Sequence, residues 1–268
     1  MPSFTGNIIF FSILFFGYGL IVGSFLNVCI HRLPKKQSIV SPRSHCPHCN
    51  KLIAWYDNIP LLSFIMLRGK CRHCGAPISY IYPLVEFATA FFFLLTYLRW
   101  GISFQLLIDL IFVCLLLLLL FIDLFHYILP NNITIPGLVL GFGLSFINQR
   151  ISWLESLIGL LIGGGILLLI SLFYYYVKKK EGMGIGDVKM LAMLGAFLGW
   201  KLCLLTLMLA SVIGTIFGIM VMLKSKEGLE KQLPFGSFLS LAALITLFWG
   251  EHIISSYQEF ISRFLIPS

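Results

Sequence analysis

Charge is what this chain has least of. Only 11% of its 268 residues are charged, against roughly a quarter in a soluble domain. Acid is scarcest: Asp and Glu together number 11, and the aspartates are Asp57, Asp109, Asp123 and Asp187 alone. With so few polar side chains, a water-exposed globule of this length could not cover its surface, which excludes a soluble enzyme. The same apolar excess excludes a disordered chain and a secreted disulfide scaffold. What fills the sequence instead is hydrocarbon. Hydrophobic residues make up 59% and mean hydropathy is +0.95. The reading is an all-α polytopic membrane protein, in which lipid is the solvent for most side chains. In such a chain every intramembrane carboxylate is a functional candidate.

A spanning helix needs about 20 apolar residues. Candidate spans fall at 7–30, 83–99, 103–122, 133–149, 153–177, 188–200, 202–223 and 236–262, about eight transmembrane helices. The first is expected to be a true span and not a cleaved signal, because it has no basic start and its apolar stretch is too long. The net charge of +8 invites a nucleic-acid partner. Its distribution argues against one. With 32–82 placed on one side and the spans alternating, fifteen of the 19 Lys and Arg collect on that side. Positive loops stay in the cytoplasm, so 32–82 is read as cytoplasmic and the basic excess as topology and contact with anionic lipid. The division expected is 1–31 as first transmembrane helix, 32–82 as a small cytoplasmic loop domain, and 83–268 as a transmembrane domain.

The loop carries Cys46-Pro-His-Cys49 and Cys71-Arg-His-Cys74, separated by 21 residues. Two residues between cysteines let one tight turn aim both thiolates at one ion, and two such knuckles complete a tetrahedral site. A reducing cytoplasm disfavours a disulfide alternative. Cys46, Cys49, Cys71 and Cys74 are therefore expected to hold a structural zinc ion, with His45, His48 and His73 facing solvent and Gly75 at a positive φ. Cys29, Cys114 and Cys203 lie in apolar spans and are read as packing residues.

Asp187 ends Gly182-Met183-Gly184-Ile185-Gly186-Asp187. This is no dinucleotide fingerprint, since no βαβ unit surrounds it. Gly184 and Gly186 offer bare, strand-like backbone beside a carboxylate, where an extended peptide could pair. Asp123 ends a run of leucines just before His126 and Pro130, where a helix should break. Alternation puts Asp123 and Asp187 at the same, cytoplasmic, membrane face. Two carboxylates meeting there can share a proton and act as base and acid on a peptide bond. The same pair would serve an ion-coupled transporter, and a non-catalytic assembly factor is a third reading. Asp109 is 14 residues before Asp123, about 21 Å along a helix, and belongs to the far face. Asp57 reads as a turn or contact residue, and Lys189 as a snorkelling anchor pointing away from Asp187.

Taken in order, these residues resemble the bacterial type 4 prepilin peptidases, Gly-x-Gly-Asp membrane aspartic proteases that also methylate their product. The likeness runs through Gly23-Ser24-Phe25-Leu26-Asn27-Val28, His31-Arg32-Leu33-Pro34, Ser41-Pro42-Arg43-Ser44 and both cysteine pairs. It continues through Asn58-Ile59-Pro60-Leu61-Leu62-Ser63, Tyr82-Pro83-Leu84-Val85-Glu86, Ile122-Asp123, Leu129-Pro130, the glycine-rich segment at Asp187 and Pro234-Phe235-Gly236. The resemblance implies a multi-pass protein of the bacterial cytoplasmic membrane. Its substrates would be prepilins or pseudopilins with a basic leader, cut by Asp123 and Asp187 at the cytoplasmic face. The new N-terminus would be methylated from S-adenosylmethionine, for which Asn27, Arg32 and Glu86 are the candidate residues. Departures from the family pattern fall at Phe125, Asn131 and Ser237, and none of these is expected to touch the aspartate pair.

Overall fold

The computed structural model describes residues 2–179, 184–224 and 233–265. Among these described residues eight α-helices follow one another: α1 (Pro2–Arg32), α2 (Leu62–Met66), α3 (Ile81–Trp100), α4 (Phe104–His126), α5 (Asn131–Leu144), α6 (Trp153–Lys178), α7 (Ile185–Lys224) and α8 (Phe235–Leu265). Among the described residues, six helices are long and apolar enough to cross a membrane, and α5 is a shorter apolar helix. The protein is thus an integral membrane protein of all-α build. Each of the eight expected spans falls on a helix, but the one expected over 133–149 stops at Leu144 and is the short helix α5. Two of them, 188–200 and 202–223, are halves of α7, which breaks its helical geometry at Gly199 with φ 75° and ψ 171°. That positive φ is open to glycine and strained for other residues.

The chain divides into two compact units, Met1–Leu118 and Leu119–Ser268. In the first, α1 packs along α3. Gly19 and Gly23 make this possible: a Cβ at Gly19 would lie 2.6 Å from the Ala90 Cα, and one at Gly23 would lie 2.7 Å from the Glu86 Cα. Small residues four apart let helix backbones approach in lipid, where burying apolar surface gives no driving force. Phe15 stacks on Tyr97 farther along the same seam, ring centroids 4.8 Å apart. Asp109 is fully buried in this unit and accepts hydrogen bonds from Trp100 Nε1 (2.9 Å) and Gln105 Nε2 (2.8 Å).

In the second unit α7 is the central helix, against which α5, α6 and α8 pack. Its segment from Met190 to Gly199 is buried throughout. Gly159 of α6 and Gly195 of α7 face one another so closely that a Cβ on either would run into the other's carbonyl. The Ser156 hydroxyl donates to the Ala196 carbonyl at 2.7 Å in the same seam. Farther along α7, beyond Gly199, Thr206 shares a hydrogen bond of 2.7 Å with Thr246 of α8. α6 starts at a capping box made by Ser152 and Glu155, which satisfies orphan N–H groups at the helix start. Because Gly195 meets backbone and not a flexible side chain, we expect Gly195→Ala to destabilise the unit by about 1–3 kcal/mol. A lowered melting temperature of the detergent-solubilised protein, with Gly165→Ala as an open-space control, checks this.

Candidate active site and four-cysteine centre

Asp123 and Asp187 both lie in the second unit. Asp123 sits one turn before the end of α4 and is buried. Its Oδ2 accepts two hydrogen bonds from the first turn of α8, the Ser237 N–H at 2.7 Å and the Ser237 hydroxyl at 3.1 Å. Two donors on one oxygen is an arrangement suited to an ionised carboxylate. The Ser237 hydroxyl also lies 3.1 Å from the Leu120 carbonyl, so its single proton chooses between the two acceptors. This corrects the expectation that Ser237 stands clear of the pair. The local cause is the helix start: the first N–H groups of a helix have no partner within it, and Pro234-Phe235-Gly236 delivers one of them to Asp123.

Asp187 lies in the first turn of α7 and is half-buried. Its N–H donates to the Gly184 carbonyl at 3.1 Å. The charge of Asp123 acts on it electrostatically. Among the described residues its carboxylate accepts no hydrogen bond. The two aspartates thus differ: one is buried and clamped, the other is more open. Gly184 leaves Asp187 Oδ2 uncovered, since a Cβ there would lie 3.4 Å from that oxygen.

The glycines do not form the strand-like segment expected. Gly182 and Met183 lie outside the described residues. Gly184 stands directly before α7, and Gly186 is already helical. Glycine at 186 answers to packing: a Cβ there would lie 3.0 Å from Leu129 Cβ. Leu129 also meets α8, where a Cβ on Gly236 would lie 2.9 Å from both Leu129 methyls and 3.1 Å from Asp123 Oδ2. Leu129 is therefore the spacer between the helix start that carries Asp187 and the one that clamps Asp123. Gly236→Ala should lower activity roughly tenfold to a hundredfold, as overpacking of about 1–3 kcal/mol displaces the carboxylate. Adding Leu129→Ala, which removes both crowded methyls, should restore part of the loss in a cleavage assay. Beside the site, Lys189 Nζ donates to Asn131 Oδ1 at 2.9 Å, tying the start of α5 to α7.

The four cysteines lie in the first unit with all sulfurs within 4.8 Å of one another. Cys46 and Cys74 are 3.8 Å apart, close to the separation of about 3.8 Å that a tetrahedron of 2.3 Å zinc–sulfur bonds requires. The two halves match. Cys46 N–H donates to the Lys51 carbonyl and Asn50 N–H to the Cys46 carbonyl; Cys71 N–H donates to Ala76 and Gly75 N–H to Cys71. Asn50 and Gly75 occupy the same place, each with positive φ. The Cys49 and His48 N–H groups pull the Cys46 thiol down to about 6. Cys74 is pushed up to about 11, against the pull of the Ala76 N–H, by desolvation and the neighbouring sulfurs. Thiolates this close repel, and a divalent cation removes the repulsion. The cluster thus fits a metal ion, and His45, His48 and His73 are exposed around it. Asp57, in a short 3₁₀ turn (Trp55–Asn58), pairs with Arg72 at 2.6 Å and thereby fastens that turn to the second knuckle. The Arg72 side chain beside it holds the Asp57 carboxyl below its ordinary range.

Asn27, Arg32 and Glu86 are in the same unit, each bonded to backbone. Asn27 Nδ2 donates to the Tyr82 carbonyl at 3.0 Å. Arg32 donates to the carbonyls of Ser38 (3.0 Å) and Pro42 (2.7 Å). Glu86 accepts from the Leu61 N–H at 2.9 Å, where Leu61 has a positive φ. Arg32 and Glu86 thus hold the polar loop to the helices that flank it, and Asn27 ties α1 to the first turn of α3.

Two family models match the chain: the bacterial peptidase A24 N-terminal domain over residues 18–100, and the type IV leader peptidase family over residues 110–219. The prepilin leader peptidase/N-methyltransferase of Aeromonas hydrophila is 38% identical over 273 residues, covering 93% of this chain and 94% of that protein. The chain belongs to the type IV leader peptidase family. The protein of the same name from Pseudomonas aeruginosa is 39% identical, covering 90% and 91% of the two chains. That from Myxococcus xanthus is 44% identical over 223 residues, which are 83% of this chain and 66% of that one. No solved structure matches. The leader peptidase model spans both Asp123 and Asp187, and the N-terminal model spans the four cysteines with Asn27, Arg32 and Glu86. Ser237 lies beyond both models. Its signal in the sequence was its place three residues after Pro234, at a helix start, but nothing local links it to a residue 114 positions earlier.

Proposed function

We propose that this protein removes the basic leader of type 4 prepilins or pseudopilins and N-methylates the residue that cleavage exposes. The observation that carries the peptidase half is the pair formed by Asp123 and Asp187, one clamped by Ser237 and the other open. Asp123, held by two donors, takes the proton of a water whose oxygen attacks the scissile carbonyl carbon. Asp187 gives a proton to the carbonyl oxygen. As the resulting diol collapses, one hydroxyl proton returns to Asp187, the carbon–nitrogen bond breaks and its electron pair takes up the proton held by Asp123, releasing the leader's carboxyl group and the new N-terminal amine. Gly184 keeps the Asp187 carboxylate accessible to an extended backbone.

The methyl-transfer half rests on the names of the relatives and on the ordered loop. Zinc bound by Cys46, Cys49, Cys71 and Cys74 would have no open position and would act structurally. S-adenosylmethionine would supply an electrophilic methyl group. Arg32 and Glu86 would support the transfer by positioning the loop between α1 and α3, and Asn27 by joining the two helices that bracket it. The proposed setting is the bacterial cytoplasmic membrane, with loop and aspartates at the cytoplasmic face, as the basic loops favour. No observation favours an ion-coupled transporter or a non-catalytic assembly factor.

Mass spectrometry of a co-expressed prepilin tests both halves together. The product should lack the leader and carry one N-methyl group. A full-length, unmodified prepilin would refute the proposal, and a cleaved but unmethylated one would refute its second half.

A further inference from the structure

Helix α2 is turned inside out for a segment in water. Its polar residue, Ser63, is buried, and the Ser63 hydroxyl donates to the Tyr56 carbonyl at 3.0 Å. Its apolar residues face outward: Leu62 is 57% exposed, Ile65 69% and Met66 79%. These three stand at i, i+3 and i+4, so they share one helix face. A single exposed apolar residue is ordinary, but a contiguous apolar face marks a contact. The face is held in place from behind. Phe64 packs on Tyr80, ring centroids 5.5 Å apart, and the Phe64 carbonyl accepts the Gly69 N–H at 2.9 Å.

Glu86 sets the height of α2. It is five residues past Ile81, where α3 starts, about 7 Å along the axis. Its carboxylate accepts the Leu61 N–H at 2.9 Å, directly before α2. Side chains of a helix lean toward its start, so α2 begins level with the first turns of α3. Those turns carry exposed Tyr80 and Tyr82, the residue type that gathers at the headgroup level of a bilayer. Arg68 and Lys70, both exposed, follow α2, and their long stems let the charges reach headgroup phosphates.

We propose that α2 is an interfacial anchor. Leu62, Ile65 and Met66 insert between the acyl chains of the leaflet at which α1 ends and α3 begins, and Arg68 and Lys70 meet the lipid phosphates. The occupant is lipid and not a second chain. A stable protein interface buries about 800 Å² on each partner, more than three side chains offer, whereas interfacial helices sink an apolar face about 5–10 Å into the headgroup and acyl boundary. The anchor gives the four-cysteine loop a bilayer contact of its own and fixes how far the loop stands from the surface. It holds whichever reaction the loop serves.

Photo-crosslinking of the full chain in nanodiscs of phosphatidylethanolamine and phosphatidylglycerol tests this. p-Benzoylphenylalanine replaces Ile65, Met66 or, as a reference, Leu84, an exposed residue of the spanning helix α3. Mass spectrometry identifies what each probe captures. Ile65 and Met66 should capture phospholipid in yields within about threefold of Leu84. A second measurement needs no probe. Ile65→Ser with Met66→Ser removes the apolar face, leaves the Ser63 and Glu86 bonds, and should speed amide hydrogen exchange over 62–67 about tenfold in the same nanodiscs. Lipid capture at Leu84 but at neither Ile65 nor Met66 would overturn the proposal. So would capture of a second copy of the chain, or of a co-reconstituted prepilin, in place of lipid, and so would unchanged exchange in the double variant.

Discussion

Asp187→Asn should abolish leader cleavage, with a fall on the order of 10⁴-fold in rate, the scale seen when one member of a catalytic unit is removed. Asparagine keeps the shape of the side chain and removes its ability to give up or take a proton. The variant should therefore fold, enter the membrane and keep its metal. Asp123→Asn should cause a comparable loss, since base and acid act in one step. It also turns an acceptor of two hydrogen bonds from Ser237 into a group that is half donor, so some loss of order at the start of α8 is expected besides. Ser237→Ala provides the contrast. It removes the hydroxyl bond and leaves the backbone N–H bond, a loss of about 1 kcal/mol, or a few-fold in rate. Pilin mass spectra and quantified cleavage rates read all three. Retained cleavage in both Asn variants would sink the pair as catalytic groups.

The second large effect concerns the cysteine centre. Cys46→Ser combined with Cys71→Ser removes one ligand from each knuckle. Structural zinc contributes on the order of 10–16 kcal/mol of binding free energy in small domains, and that energy is folding energy for a loop with so little core of its own. The double variant should lose the zinc proposed for this centre, read by elemental analysis, and loosen the loop. Methylation should then fall much further than cleavage, because both aspartates lie in the other compact unit, whose helices do not depend on the metal for their hydrogen bonds. Cleaved, unmethylated pilin is the expected product. An unchanged methylated product would reject a role for the centre in methyl transfer. Chelation of zinc from the wild-type protein should reproduce the variant.

The pattern of apolar runs made the helices legible, because each span must satisfy its own backbone in lipid and leaves a long unbroken signal. The join of two runs into α7 was less visible. Gly199 breaks the helical geometry without a polar residue to mark it, and a run of apolar residues looks alike on either side. Cys-x-x-Cys spacing made the four-cysteine cluster legible for a different reason, since four thiols within two short turns are a local constraint. The turn position of Gly75 was readable from its missing side chain, while its counterpart Asn50 was hidden by being an ordinary polar residue in a polar loop.

The scarcity of acid that first excluded a soluble protein also narrowed the aspartates. Membrane alternation and helical rise alone separated Asp109 from Asp123, and the structure gives Asp109 its own partners, Trp100 and Gln105. The positions of the apolar runs, the four-cysteine cluster and the two candidate aspartates were thus legible in the sequence itself, because each depends on composition or on spacing within a few residues, whereas the number of helices was not, since two of the eight expected spans are one helix. The Ser237 clamp on Asp123, the Leu129 spacer between two glycines, the use of Arg32 and Glu86 as loop fasteners and the Asn27 tie between α1 and α3 were decided only in three dimensions. Each of those contacts joins residues from separate helices or loops, and close packing, which fixes such contacts to fractions of an ångström, leaves no periodic trace along the chain.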